Sequence, residues 1–490
     1  MPCAIDRRRF LELSLLGAPL LGRPAAGLQR QRKASGSADP IVVVGAGLAG
    51  LRAAGLIRKA GRPVMVLEAR SRAGGRVRTI RSPFDEGLFG EAGAIRIAGV
   101  HEAVLQLVRE HGLSLVPFGF STGAPVVNVG GVTARSPEEL KALASRLGLR
   151  ADEAGLGQGA LLERYVRDLP GDIGDPAPPD DAYSRWESYD RVTWPEWLRS
   201  RGASAGAVTL MTLGGDSQEL SALYVLRQFA LLRNTTQYFK IQGGMDRLPR
   251  AMAAALGGCV RYNAAVVRID QRTESIRVEY LENARVKTIR ASRVVVAIPF
   301  STLRQVEIRP RFSSGKARAI DDIPYFPATR FLLQSRTRFW EAAGLSGSAR
   351  TDQPAEIWDC TYDLPGERGI LGMTVGGAIG RSLAGMSADQ AVKFGASLAA
   401  RTFPDIRSEL EKGSAWRWAN EPWSRGAFAV FHPRQMAAMM PGISRPEGRI
   451  HFAGEHTSSW MGWMEGALQS GERAAAEVLA GQAVPVNRAR

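Results

Sequence analysis

At 490 residues with 45% hydrophobic content, the chain is long enough for two or three domains with sizeable cores and has a globular composition, neither disordered nor coiled-coil. Only 3 cysteines (Cys3, Cys259, Cys360) exclude a disulfide scaffold or a cysteine-rich metal centre, and the 5 histidines lack metal-ligand spacing, so no metal site is expected. The net charge of +16 is spread along the chain without a nucleic-acid-binding motif, so it reads as a basic surface able to steer anionic groups.

The first signal along the chain is Arg7-Arg8-Arg9-Phe10-Leu11, followed by a mildly apolar run at 13–21 that Gly17 and Pro19 interrupt. Charges, a short apolar core and small residues in that order fit a twin-arginine export signal. Asp6 and Glu12 stand where the usual pattern has Ser or Thr and Lys, and an ordinary N-terminal helix is the alternative. The run is too short to span a bilayer, and no other spanning segment is expected. Residues 22–39, rich in Gly, Pro, Ala, Ser and Arg, read as a processing region and linker. The expectation is export by the twin-arginine translocase, to the periplasm or the medium.

Residues 41–50 read Ile-Val-Val-Val-Gly-Ala-Gly-Leu-Ala-Gly, a buried strand running into the three glycines of a dinucleotide fingerprint. Gly45 allows the tight turn, Gly47 lets backbone approach a pyrophosphate, and Gly50 lets helix and strand pack closely. The alanine- and leucine-rich segment 51–60 is the helix whose N-terminus faces the phosphates. A second apolar strand at 63–67 ends at Glu68, about twenty residues after the glycines, where a carboxylate accepts from a ribose hydroxyl. A lone GxGxxG is often an ordinary turn; strand, glycines, helix, strand and acid in this order predict a site for an ADP-containing cofactor.

Next, Gly74-Gly75 offers another close backbone approach to phosphate, and Arg76 brings paired N–H donors. Residues 90–96 form a small-residue turn presenting Arg96, and 101–110 reads as an amphipathic helix. The pattern from about 134 to 235 is helical, with a Pro/Gly/Asp break at 170–180. Trp186, Tyr189, Trp194 and Trp197 there read as core packing or a cavity cap ahead of a binding cage. From 238 the character changes to strand and turn, then a helix at 247–256 and strands at 260–262, 266–269, 276–280, 286–289 and 293–299. The last of these is fully apolar, as in a parallel sheet covered on both faces. Strands and helices alternate over 301–444, and a strand at 449–455 leads through a glycine turn (462–466) into a helix ending near 480.

Taken together, Gly45/Gly47/Gly50, Glu68, Gly74-Gly75-Arg76, Gly243-Gly244-Met245, the strand at 294–299 and Phe452-Ala453-Gly454-Glu455 resemble the flavin-dependent amine oxidases, over nearly the whole chain from residue 40. The resemblance implies FAD and an α/β (overall α+β) fold: a discontinuous Rossmann-like FAD-binding domain (40–110, 238–300 and 445–490), a helical or substrate region (111–237) and a mixed-sheet substrate domain (301–444), after the export segment 1–39. The cofactor contacts it implies are Gly45, Gly47, Leu48, Ala49, Gly50, Glu68, Ala69, Arg70, Gly75, Arg76, Gly93, Ala94, Ile95, Arg96, Val266, Gly454, Glu455, Gly462, Trp463, Met464 and Ala467. Within that set, Glu68 resembles the acid on the adenosine ribose, Arg76 the pyrophosphate-side arginine, and Val266 the residue whose backbone meets adenine. Glu455 resembles the acid near the pyrophosphate and ribityl end. Trp418 and Trp463 match aromatic positions near the ring. Core packing is the alternative for Val266 and for both tryptophans.

The stretch Gly93-Ala94-Ile95-Arg96 resembles the Gly-x-x-Arg of L-amino-acid oxidases and tryptophan 2-monooxygenases, whose arginine grips the substrate carboxylate. A guanidinium pairs bidentately with a carboxylate; the alternative is Arg96 paired with a protein acid or a phosphate. Three further positions depart from the resemblance. Arg330 stands where the family usually has a lysine that holds a water near the flavin, and arginine stays charged at ordinary pH. Thr374 falls where amino-acid oxidases have a tyrosine, and Gln228 where some have a histidine. The resulting expectation is an exported FAD-dependent L-amino-acid oxidase that makes 2-oxo acid, ammonia and hydrogen peroxide with molecular oxygen. The alternatives are an amine oxidase or dehydrogenase on a carboxylate-free amine, a flavin amino-acid 2-monooxygenase, or a nucleotide-binding protein without turnover. No nucleic-acid partner is expected, and the oligomeric state is open, a homodimer included.

Overall fold

The computed structural model describes residues 39–119, 123–213, 217–352 and 356–481. All of the export segment except Asp39 therefore lies outside the described residues. At the centre is a five-stranded, wholly parallel sheet in the order Val260–Arg261, Val64–Leu67, Ile41–Val44, Arg293–Val296, Ile450–Phe452. Its strands come from three stretches of chain that are far apart in sequence.

Alternation along the strands explains why it is covered on both faces. Ile41, Val43 and Val295 pack with Leu51, Ile57, Leu468 and Val478 of helices Leu48–Lys59 and Met464–Leu479, and with Leu248 and Met252 of helix Arg247–Leu256. Val42, Val44, Val294 and Val296 face the other way, against Ile269, Ile276, Val278 and Tyr280. Those belong to a four-stranded sheet in the order Arg285–Ala291, Ile276–Glu282, Ala265–Asp270, Glu307–Arg309. Helices, parallel sheet and this four-stranded mixed sheet, in which only Ala265–Asp270 and Glu307–Arg309 pair in parallel, make three layers, the Rossmann-like α/β arrangement expected.

The second large body is a seven-stranded mixed sheet in the order Leu410–Arg417, Thr329–Ser335, Gly369–Val375, Glu356–Asp359, Leu345–Thr351, Ala124–Val129, Val132–Ala134. Its pairs are antiparallel except Leu345–Thr351 with Ala124–Val129. The sequence pattern assigns no strand between 111 and 134, and the structure corrects this. Ala124–Val129 is short, and its register comes from a partner more than 200 residues away, which local periodicity cannot report.

Helices fill most of 137–232. Trp186, Trp194 and Trp197 are buried there, with the last two stacked at 5.4 Å, and none of the cluster lines the cavity described below. They are core. Helix Trp194–Ser200 opens with a capping box between Thr193 and Glu196 and a proline in its first turn, and helix Ala222–Leu232 carries Tyr224 and Gln228 to the cavity wall. Among the described residues no helix is long and apolar enough to cross a membrane, and no cluster of His, Cys, Asp or Glu could hold a metal.

One buried carboxylate anchors the turn that precedes Arg96. Glu91 ends the hairpin Thr79–Ile80/Gly90–Glu91, where it accepts from Thr79 Oγ1 at 2.9 Å and from the Met245 N–H at 2.9 Å. Gly244 (φ +116°) must be glycine there, because a Cβ would lie 2.8 Å from Thr79 Oγ1. Burial pushes the Glu91 carboxyl up to about 8, against the lowering pull of its two donors. Between the ordinary glutamate range and about 8 the folded chain thus keeps a proton that the unfolded chain has lost, so stability falls as pH rises through that window. Glu91→Gln removes this contribution: its melting temperature falls less than the wild type's between about pH 5 and about pH 8. Equal falls would refute the assignment.

Candidate active site

All three of these sheets border one cavity of about 820 Å³, large within the range of small-molecule sites. Its floor is the fingerprint. Gly45 turns at φ +102°, and a Cβ on Gly50 would lie 2.0 Å from the Gly45 carbonyl oxygen, so helix and strand touch only because both are glycine. Gly47 is the opposite case, since a Cβ there meets no protein atom within 4 Å and would point into open space. Helix Leu48–Lys59 starts at Gly47 with no side-chain cap, which leaves first-turn N–H groups for a ligand at its positive end.

Glu68 closes the same end. Its Oε2 accepts from the Ala46 N–H at 2.7 Å and its Oε1 from the Arg70 N–H at 2.9 Å. Arg70 donates to Ser424 Oγ at 2.9 Å and pairs with Glu421 at 3.3 Å, while its Nε is buried without a partner. Arg76 and Glu455, expected separately along the phosphates and the ribityl chain, are joined to each other: Arg76 Nη1 donates to Glu455 Oε1 at 2.6 Å. Glu455 also accepts from the N–H groups of Ala429 (3.2 Å) and Gly462 (2.8 Å). Val266 belongs to both readings, buried in its strand yet on the cavity wall.

At the far end lie the aromatic and cationic groups. Trp463 Nε1 donates to Gln228 Oε1 at 2.8 Å, and the Gln228 amide nitrogen is buried without a partner. Trp418 Nε1 donates to the Ala92 carbonyl at 2.7 Å, and Phe326 stacks on Phe428 at 5.1 Å. Arg330 donates to the Gly93 carbonyl at 3.3 Å and lies over the Trp358 ring at 4.6 Å, with Nε and Nη1 unpartnered. Burial, reinforced by nearby Arg96, lowers its guanidinium to about 10, so it remains protonated at neutral pH.

The structure thus brings every sequence-predicted site residue to one cavity except Gly50, which is buried in the helix–strand contact. Missed by the sequence are Glu356, Asp352, Phe326 and Tyr224 on the wall. Glu356 matters most, because its Oε1 lies 3.5 Å from Arg96 Nη1. A protein acid therefore stands beside Arg96, in ion-pair range but without a hydrogen bond to it. No motif marks Glu356; only the register of its strand brings it here.

The uncapped helix start, the space beyond Gly47 and the unpartnered polar atoms on the wall fit a dinucleotide running from Glu68 to Trp463. The family model for flavin-containing amine oxidoreductases matches residues 48–479. The chain belongs to this family. Its cofactor is FAD, and its site holds a small-molecule substrate.

A putative L-amino-acid oxidase, YobN, of Bacillus subtilis (strain 168) is 32% identical over 455 residues, covering 89% of this chain and 94% of its own. Among solved structures, putrescine oxidase bound to putrescine is similar with a TM-score of 0.73 at 24% identity, over 90% of this chain and 99% of the other. Cyclohexylamine oxidase from Brevibacterium oxydans aligns with a TM-score of 0.72 at 22% identity, over 90% of this chain and 99% of the other. At such identities the last two speak for the fold alone.

The two fingerprint glycines should fail differently. Gly50→Ala forces helix and strand apart, and it should cost roughly 1–3 kcal/mol of stability along with bound flavin. Gly47→Ala should leave the melting temperature of the flavin-free protein unchanged while lowering FAD content, read from flavin absorbance. Loss of fold in Gly47→Ala would contradict the open space beyond that residue.

Proposed function

We propose that this flavoprotein is an L-amino-acid oxidase, converting L-amino acids to 2-oxo acids with release of ammonia and hydrogen peroxide. The observation that carries this reading is Arg96: it borders the cavity in the Gly93-Ala94-Ile95-Arg96 turn, and among the described residues its side chain makes no hydrogen bond. Unspent donors of that fork geometry suit a carboxylate. The identity to a relative named as a putative L-amino-acid oxidase supports the same reading.

Bound FAD supplies hydride acceptance and the return of electrons to oxygen. The chain supplies orientation and a water-poor wall. Arg96 holds the α-carboxylate, which restricts the substrate to poses with its α-carbon toward the ring, and such restriction contributes on the order of several kcal/mol to catalysis. Gln228 fixes the Trp463 indole through its hydrogen bond, and the stacked Phe326–Phe428 pair offers an apolar face to a large side chain. Arg330, charged at neutral pH, adds a positive field to the same end.

A second reading has one specific observation in its favour. Glu356 already lies beside Arg96, as it would in an oxidase or dehydrogenase for carboxylate-free amines. A panel of L-amino acids and matched simple amines, assayed for peroxide and 2-oxo acid, decides between them. Turnover of amines with no amino acid turned over would sink the leading reading. Arg96→Ala should raise KM for amino acids roughly tenfold to a hundredfold, the range of a lost charged hydrogen bond, and should not raise KM for amines.

Export by the twin-arginine route is part of the same proposal, resting on Arg7-Arg8-Arg9-Phe10-Leu11 and the short apolar run after it. Replacing Arg7 and Arg8 together by lysine should hold the protein in the cytoplasm. Unaltered export of that variant would remove this part.

A further inference from the structure

Glu356 was not foreshadowed by any motif, and its position follows from sheet register. In the mixed sheet, Arg330 is opposite Thr374, and Thr374 is opposite Glu356. Residues opposite one another share a face, and all three line the cavity. On its other side Glu356 is opposite Arg350, whose Nη2 lies 3.7 Å from the Glu356 carboxylate. A row of charge therefore crosses the sheet, and Arg96 meets it from a separate turn at 3.5 Å.

That distance is informative. Charge-assisted N–H···O bonds run at about 2.7–2.9 Å. At 3.5 Å, Glu356 offsets the charge of Arg96 without using its donors. Both side chains are more than two-thirds covered (29% and 19% exposed), so the offset is not fully screened by water. A ligand carboxylate can still take the guanidinium fork, but Glu356 repels it. A ligand ammonium, by contrast, finds in Glu356 an anionic partner.

We infer that Glu356 is a specificity-determining residue which sets the preference of this site between amino acids and carboxylate-free amines. It weakens carboxylate binding at Arg96 and favours a bare cation. The inference rests on the reading of Arg96 as the carboxylate-holding group. It also accounts for a site that carries an amino-acid oxidase's arginine together with an acid such an oxidase would not need there.

The test uses the FAD-loaded protein and Glu356→Gln, which keeps shape and removes charge. The ratio of kcat/KM for L-phenylalanine to that for 2-phenylethylamine should rise about fivefold, as for a partly exposed ion pair. Binding of benzoate, followed by perturbation of flavin absorbance, should tighten by a similar factor, and this tightening should vanish in an Arg96→Ala background. Arg350→Gln, which leaves Glu356 to Arg96 alone, should move benzoate affinity the opposite way; this also covers the case in which Glu356→Gln does not fold. Unchanged or weaker benzoate binding in Glu356→Gln would overturn the inference, because Glu356 would then be idle or merely holding Arg96 in place. The benzoate arm needs no turnover. A wild type that oxidises only amines would defeat the amino-acid reading while leaving a tightening of benzoate to stand, whereas amino-acid turnover with no response to Glu356→Gln would defeat this inference alone.

Discussion

A buried carboxylate must be supplied with donors, and Glu455 obtains them from three parts of the chain. Arg76 reaches it from the loop after the first helix, Ala429 from the stretch after the mixed sheet, and Gly462 from the turn before the last helix. Removing any one donor would leave charge uncompensated in a low-dielectric interior, so the three segments are held at fixed distances. This junction lies where the Rossmann-like body meets the mixed-sheet body. The cavity that spans both bodies depends on it.

From that junction the cavity has two chemically different ends. The fingerprint end is built of backbone: glycines with positive φ or no room for a Cβ, and an uncapped helix start. Such a surface recognises phosphate and ribose by N–H geometry and dipole, and is indifferent to the substrate. The far end is built of side chains, with Trp463, Trp418 and the phenylalanine pair giving apolar walls and Arg96, Arg330 and Glu356 the charge. Under the proposed reading, substrate choice belongs to this end.

The wall of this cavity holds two charged groups of opposite sign, Arg96 and Glu356, 3.5 Å apart. A guanidinium is suited to a carboxylate and a carboxylate to an ammonium. Under the proposed reading, the balance between two such partly covered charges, on the order of 1 kcal/mol, would shift specificity severalfold without any change of fold.

What the sequence by itself determined is local. The buried strand at 41–44, the glycines after it, Glu68 and the last strand and turn were legible because each requirement is met within a few residues: an unbroken apolar run for burial on both faces, glycine where φ is positive or Cβ has no room, an acid at a strand end. Gln228, Arg330 and Trp463 were legible as positions, but not their contacts. The tertiary structure alone decided that Arg76 and Glu455 hold each other, that Ala124–Val129 joins the mixed sheet beside Leu345–Thr351, and that Glu356 lies beside Arg96. Those outcomes depend on strand register and on distances through space, and the Coulomb energy of two charges takes no account of how far apart they stand along the chain.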